Sequence, residues 1–341
     1  MYWEKSTFII AEAGVNHNGN KEMAFQLIRE AKKAGCDSVK FQSFNPDKLV
    51  SADAKMADYQ KKNTGENKSQ LEMLRSLSIS GDFLKELRTF ADNLGIMLFS
   101  TAFDPDSLDE LDRMNQPLWK IPSGEITNIP MLRKVGVMNK PTILSTGMAT
   151  LAEVDIAVRE LLKNGLERKK LCILQCNTEY PSPLEDVNLR VMETYKTAFG
   201  CDVGYSDHTD GIEVPIAAVA LGAKIIEKHF TLDRNLLGPD HKASLEPTKL
   251  AEMVRSIRNI EIALGTSVKE PSPSEIRNIP VARKSIVALK EIKKGELLTE
   301  ENIGTKRPGN GLSPLLWDII IGTHSVRDFH TDELIDLRLP K

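Results

Sequence analysis

Short apolar, β-branched runs that end in polar residues return eight times between residues 8 and 230, each followed by a stretch with helical spacing. The runs are FIIAEAG (8–14), SVKFQSF (38–44), IMLFSTAF (96–103), LWKIPSGE (118–125), TILSTGM (142–148), LCILQCN (171–177), DVGYSDH (202–208) and KIIEKHF (224–230). Strands joined by helical crossovers predict a parallel sheet, because parallel neighbours need long connections. Eight such units in about 265 residues predict an α/β fold of the (β/α)8 barrel type. The helical stretches carry their own punctuation. Thr150 and Glu153 form a capping-box pattern ahead of a helix that Gly165 would close, and Ser80 is placed to cap a helix with Phe83, Leu87, Phe90 and Leu94 on one face. The last helix runs to Gly265 with Leu250, Met253, Val254, Ile257, Ile260 and Leu264 in a stripe, which reads as core.

Beyond Gly265 the pattern breaks. TSVKEPSPSEIRNIPVARK is rich in Pro, Ser and charge and predicts a linker over 266–282. SIVALKEIKKGELLTEENI then alternates as a strand does and turns at Lys294-Gly295. The expected organisation is a barrel over 1–265, the linker, and a β-rich module over 283–341 that is too small for a large core of its own.

Composition narrows the function classes. With 41% hydrophobic residues and a net charge of −3, the 341-residue chain can bury a full core and has no general attraction for nucleic acid or acidic membranes. No apolar run approaches the roughly 20 residues of a membrane span. The opening MYWEKSTFII lacks a basic, apolar leader pattern. Cys36, Cys172, Cys176 and Cys201 show no CxxC spacing, so free thiols and a reduced, cytoplasmic compartment are expected.

Barrel active sites form at the C-terminal ends of the strands, where the polar residues closing the eight runs should converge. These are Glu12, Asn16 and His17; Lys40 and Gln42; Ser100 and Thr101; Lys120, Ser123 and Glu125; Ser145 and Thr146; Asn177, Thr178 and Tyr180; Ser206, Asp207 and His208; and Glu227 with His229. Lys40 and Gln42 share a face, but periodicity alone does not say whether that face is the lumen. Two lysines among hydroxyls point to a phosphate or carboxylate ligand. His208 and His229 end adjacent runs; two neutral imidazoles with a carboxylate such as Glu12 and waters suit Mn²⁺, Mg²⁺, Fe²⁺ or Zn²⁺. Strand-end lysines reaching for solvent and histidines bonded to neighbouring carboxylates are the plain alternatives.

Taken together, IIAEAGVNHNG, VKFQSF, FSTAFD, KIPSGEITN, LSTGM, NTEYPSP, GYSDHT, EKHFTL and GPDHKASLEP resemble the bacterial sialic acid synthases, and VARKSIVALKEIKKGE with TKRPGNG resembles their antifreeze-like (SAF) domain. The resemblance covers essentially the whole chain. It implies condensation of phosphoenolpyruvate with the open-chain aldehyde of an N-acetylated mannosamine-type sugar, with C–O cleavage releasing phosphate. It further implies a divalent cation, Mn²⁺ first with Mg²⁺ or Co²⁺ as substitutes, on His208 and His229. Lys40, Thr101, Lys120, Ser123, Ser145 and Ser206 would hold phosphoenolpyruvate, and Glu12 or Glu125 would act as acid or base. Gln42, Asn177, Thr178, Tyr180 and Asp240 would contact the sugar. A domain-swapped homodimer is also implied, in which Arg307 of one subunit reaches the other's sugar. Two departures from the family pattern stand out: Asn177-Thr178 reverses the usual order, and Phe41 replaces a histidine before Gln42. NTGENKSQLEML (63–74) is similar to the N-acetylneuraminate branch, while IIAEAGVNHNG and DVGYSDHTDG are similar to the N,N'-diacetyllegionaminate branch; the balance leans to N-acetylneuraminate. Two rival classes are a Schiff-base aldolase using Lys40, Lys120 or Lys228, and a glycan-binding protein without catalysis.

Overall fold

The computed structural model describes residues 1–51, 54–57, 60, 61, 63 and 69–337, so residues 64–68 of the branch-marking stretch lie outside the described residues. The chain divides into two compact units, Met1–Gly265 and Thr266–Lys341.

All eight predicted strands are present in the first unit: β1 (Phe8–Gly14), β2 (Ser38–Ser43), β3 (Met97–Ala102), β4 (Trp119–Ile121), β5 (Thr142–Ser145), β6 (Leu171–Cys176), β7 (Asp202–Asp207) and β8 (Ile225–His229). They pair in parallel in the order β3-β2-β1-β8-β7-β6-β5-β4, and β3 and β4 come together to make a nearly closed TIM-like barrel. β4 is short because Pro122 has no N–H to donate to a ladder, and the chain turns there into a 3₁₀ helix, Ser123–Glu125. Gly204 lets β7 and β8 close up: a Cβ there would stand 2.4 Å from the Ile225 carbonyl oxygen and 2.6 Å from Leu174 Cδ2.

The helices start and stop on the residues that their caps require. Ser80 accepts from the Phe83 N–H ahead of Gly81–Leu94, and Thr150 with Glu153 makes a reciprocal capping box on Leu151–Lys163. In the last helix, Pro247–Leu264, the stripe is buried from Leu250 to Ile257, whereas Leu264 in the final turn is exposed.

In the second unit, the segment expected to be a plain linker carries two one-turn helices, Pro273–Ile276 and Ile279–Ala282. Its Ser-Pro-Ser-Glu run is itself a helix start: Pro273 pre-sets the first turn and Glu275 accepts from the Ser272 N–H at 2.9 Å. β9 (Ser285–Ala288) and β10 (Ile303–Lys306) pair antiparallel. A small core of Ile286, Ile292, Leu298, Ile303 and Phe329 fills this module. Among the described residues no helix is long and apolar enough to cross a membrane.

Candidate active site

Strand alternation builds the barrel interior in two levels. Phe8, Ile10, Phe99, Leu118, Ile143, Leu174 and Ile225 fill the lower lumen together with Trp3, whose indole N–H donates to Asp202 at the start of β7. Two residues further along the same strand faces stand Glu12, Thr101, Lys120, Ser145, Cys176 and Glu227. The open question of phase is thereby answered: Lys40 and Gln42 face the lumen, and both line a 530 Å³ cavity at the mouth.

The polar level is a closed ionic network. Lys40 Nζ lies 2.8 Å from Glu12 Oε2 and 3.8 Å from Glu227 Oε2, and Lys120 Nζ lies 2.8 Å from Glu227 Oε1. Lys40 also donates to Thr101 Oγ1 at 2.9 Å, Gln42 Nε2 to Glu12 Oε1 at 3.0 Å, and Ser206 Oγ to Glu227 Oε1 at 2.9 Å. All four charged groups are buried. Desolvation disfavours each charge taken alone, and pairing offsets part of that cost. Burial works against the Glu227 carboxylate, but Lys120 and Lys40 outweigh it and hold its pKa well below the usual range. Burial likewise opposes the Lys40 ammonium, and Glu12 and Glu227 raise its pKa nonetheless. Glu12 moves the other way: burial pushes its carboxyl up against the pull of Lys40.

Above this network, the rings of His208 and His229 stand with centroids 5.1 Å apart. Tyr180 stacks on His208 at 4.1 Å and meets His229 edge-on at 5.5 Å. His208 Nδ1 donates to the Asn177 carbonyl, which orients the ring. His229 Nδ1 is buried without a hydrogen bond among the described residues, 3.9 Å from Asp240 Oδ2. Burial holds the His229 pKa well below its ordinary value and so favours the neutral imidazole, as a metal ligand must be. Burial also raises the Asp240 carboxyl to about 6. The donor set fits a divalent cation held by two imidazoles. Among the described residues, no group of three or more His, Cys, Asp or Glu is disposed around one metal position.

The model of the NeuB family matches residues 27–269 and that of the SAF domain residues 283–337. The chain belongs to the NeuB family. It is 50% identical to the N,N'-diacetyllegionaminic acid synthase of Campylobacter jejuni over 97% of this chain and 99% of that protein. It is 44% identical to the enzyme of the same name from Legionella pneumophila, over 93% of this chain and 89% of the relative. The solved N-acetylneuraminic acid synthetase of Leptospira borgpetersenii superposes with a TM-score of 0.71 at 34% identity, covering 81% of this chain and 90% of that one.

Within this NeuB-family barrel, Glu12, Lys40, Gln42, Lys120, Ser123, Ser145, Thr178, Tyr180, Ser206, His208 and His229 share the 530 Å³ cavity. Thr101 is fully buried and accepts from Lys40, so it orients that lysine from behind. Ser123 Oγ accepts from the Gly147 N–H at 2.9 Å, and Ser145 Oγ is buried with no hydrogen-bond partner among the described residues. Asn177 Oδ1 accepts from Glu179 N at 2.7 Å and Ser182 Oγ at 3.1 Å, while its carbonyl holds His208. Glu125 and Asp240 line an adjoining 320 Å³ cavity. Arg307 belongs to the C-terminal unit, where it is exposed and its Nε donates to the Ala282 carbonyl at 3.0 Å. Phe41, which stands where the family pattern has a histidine, faces the layer between barrel and helices.

Two lumen residues were given no specific role by sequence, Glu227 being expected only among the converging strand ends and Cys176 only as a free thiol. Glu227 is the shared partner of both lysines, and Cys176 sits 3.8 Å from His208 Nδ1. Glu227 had a usable signal, since it lies two residues before His229 on the same face of one strand.

Proposed function

We propose that this NeuB-family chain condenses phosphoenolpyruvate with 2,4-diacetamido-2,4,6-trideoxymannose to give N,N'-diacetyllegionaminate and phosphate. C3 of phosphoenolpyruvate attacks the aldehyde carbon, water adds at C2, and the C2–O bond to phosphate breaks. Lys40 and Lys120, with the hydroxyls of Ser123, Ser145 and Ser206, bind the phosphate and carboxylate of phosphoenolpyruvate in a site where water is scarce and charge is felt strongly. Glu12, held by Lys40 and Gln42, orients the attacking water and takes its proton. His208 and His229 would hold a divalent cation, Mn²⁺ or one of its substitutes Mg²⁺ and Co²⁺, which supplies Lewis-acid polarisation of the aldehyde oxygen when bound. A Schiff-base reading is disfavoured because Lys40, Lys120 and Lys228 are each held in a buried ion pair, with Glu12, Glu227 and Asp207 respectively.

The observation that carries the choice of sugar is the apolar side of the mouth. The 320 Å³ cavity shares Gln42, Phe103, Tyr180 and His229 with the polar cavity and is walled by Val15, Phe44, Met73, Leu74 and Leu77. The trideoxy sugar carries a C6 methyl and a second acetamide methyl where N-acetylmannosamine carries hydroxyls. Each methyl buried on such a wall is worth about 0.8 kcal/mol, and each hydroxyl left there unpaired costs about 1–3 kcal/mol. Together these terms favour the diacetamido sugar, and the usual reach of an apolar pocket against a hydroxylated analogue sets the expected preference on the order of 100-fold. The names of the Campylobacter and Legionella relatives support the same branch, against the lean to N-acetylneuraminate.

The test is phosphate release from phosphoenolpyruvate with Mn²⁺ and each sugar in turn. Release at least tenfold faster (kcat/KM) with the diacetamido sugar is expected. Preference for N-acetylmannosamine would overturn the choice of sugar, and release with neither would overturn the synthase reading.

A further inference from the structure

Each of the two mouth histidines is preceded by a charged residue, as Asp207-His208 and Lys228-His229. Neighbours in a strand point to opposite faces, so while the imidazoles face the lumen, Asp207 and Lys228 face the layer behind it. The ladder between β7 and β8 sets Asp207 directly beside Lys228. Both side chains have 0% exposure. Lys228 Nζ lies 2.6 Å from Asp207 Oδ2 and donates to the Thr209 carbonyl at 2.6 Å. Asp207 Oδ1 in turn accepts from Thr209 N at 2.9 Å and Thr209 Oγ1 at 2.8 Å. The residues on both sides of His208 are therefore tied to the residue that precedes His229.

Lys228 was a candidate Schiff-base nucleophile by sequence, yet its ammonium is committed to this clasp on the far side of the strand from the lumen. Stability alone does not account for the pair. Replacing a buried ion pair by apolar side chains of similar volume is often neutral or stabilising, whereas ionic pairs can be retained for the geometry they specify. The clasp uses directional bonds to lock the backbone at one position, which apolar contact does not do.

We propose that Asp207 and Lys228 form a positioning pair that sets the separation and orientation of His208 and His229, and through them the affinity for a divalent cation. The proposal rests on the reading of these histidines as the cation's ligands. Residues that orient ligands from behind typically carry a 10- to 100-fold effect on metal affinity.

The experiment measures Mn²⁺ binding to the full chain, without substrates, by electron paramagnetic resonance of free Mn²⁺, alongside thermal unfolding. In the double variant Asp207→Leu/Lys228→Met, a Tm within a few degrees of the parent and Mn²⁺ affinity weakened at least about tenfold are expected. Equal affinity in that folded variant overturns the positioning role. If the double variant does not fold, Thr209→Val removes one bond to Asp207 while keeping the ion pair; a weakening of about threefold is expected, and none overturns the proposal. The variant His208→Ala/His229→Ala separates the two readings. Mn²⁺ binding that survives it, or no binding by the parent, overturns the ligand assignment and the proposal with it; binding that requires the histidines but ignores the clasp overturns the proposal alone.

Discussion

Lys120 on β4 and Glu227 on β8 meet at 2.8 Å although their strands stand four places apart in the ladder, so the pair spans the lumen of the barrel. Glu227 also lies 3.8 Å from Lys40 and accepts from Ser206, which makes it the hub of the polar level. Glu227→Gln leaves Lys120 charged and buried without its carboxylate. Breaking such a pair on one side is expected to cost about 3 kcal/mol, read as a lowered urea midpoint. Phosphate release should fall by at least about tenfold, because the lysines lose the group that sets their positions.

The apolar wall is open to a direct trial. Leu74→Asn places an amide where a methyl of the diacetamido sugar is expected to pack. A roughly tenfold loss of kcat/KM for that sugar is expected, about 1.4 kcal/mol, with less than about a threefold change for N-acetylmannosamine. Equal losses for both sugars would assign Leu74 to the fold and not to discrimination.

His17 gives the chain an acid-sensitive element. Burial lowers its pKa to about 4, and its Nδ1 accepts from the Gly19 N–H at 3.0 Å, a bond that protonation would abolish. The unfolded chain carries an ordinary histidine near 6.5, so between pH 6.5 and 4 the unfolded state binds more protons than the folded one. Stability is then complete above that window and declines as pH falls through it, by up to about 3 kcal/mol. His17→Asn keeps an acceptor for Gly19 but cannot titrate. Urea midpoints at pH 7.5 and 5 should fall less with acid in this variant than in the parent.

Arg307 carries the resemblance-based proposal of a swapped dimer. Arg307→Ala should raise the KM for the sugar while leaving Mn²⁺ affinity unchanged. Mixing Arg307→Ala subunits with His208→Ala/His229→Ala subunits should restore activity to one site in each mixed dimer if the arginine acts in trans. Absence of recovery in verified mixed dimers would assign it to its own subunit or to no site.

The eight strands, their crossovers and the caps at Ser80 and Thr150 were legible in the sequence because they depend on local stereochemistry: residue alternation, N–H groups seeking acceptors, and turns favouring particular residues. The converging strand ends followed from the barrel prediction. What the sequence did not determine was the phase of each strand. Strands of a parallel barrel are buried on both faces, so Ile9, Ala11 and Ala13 read as apolar just as Phe8 and Ile10 do, although only the latter pair faces the lumen. Closure of the barrel made that decision. It turned Lys40 inward to Glu12 and Lys228 outward to Asp207, two lysines that the sequence offered alike as Schiff-base candidates. It also brought Lys120 to Glu227, 107 residues away, and set the apolar cavity beside the polar one. Contacts between residues so distant in the chain arise only when the sheet closes, which no local pattern encodes.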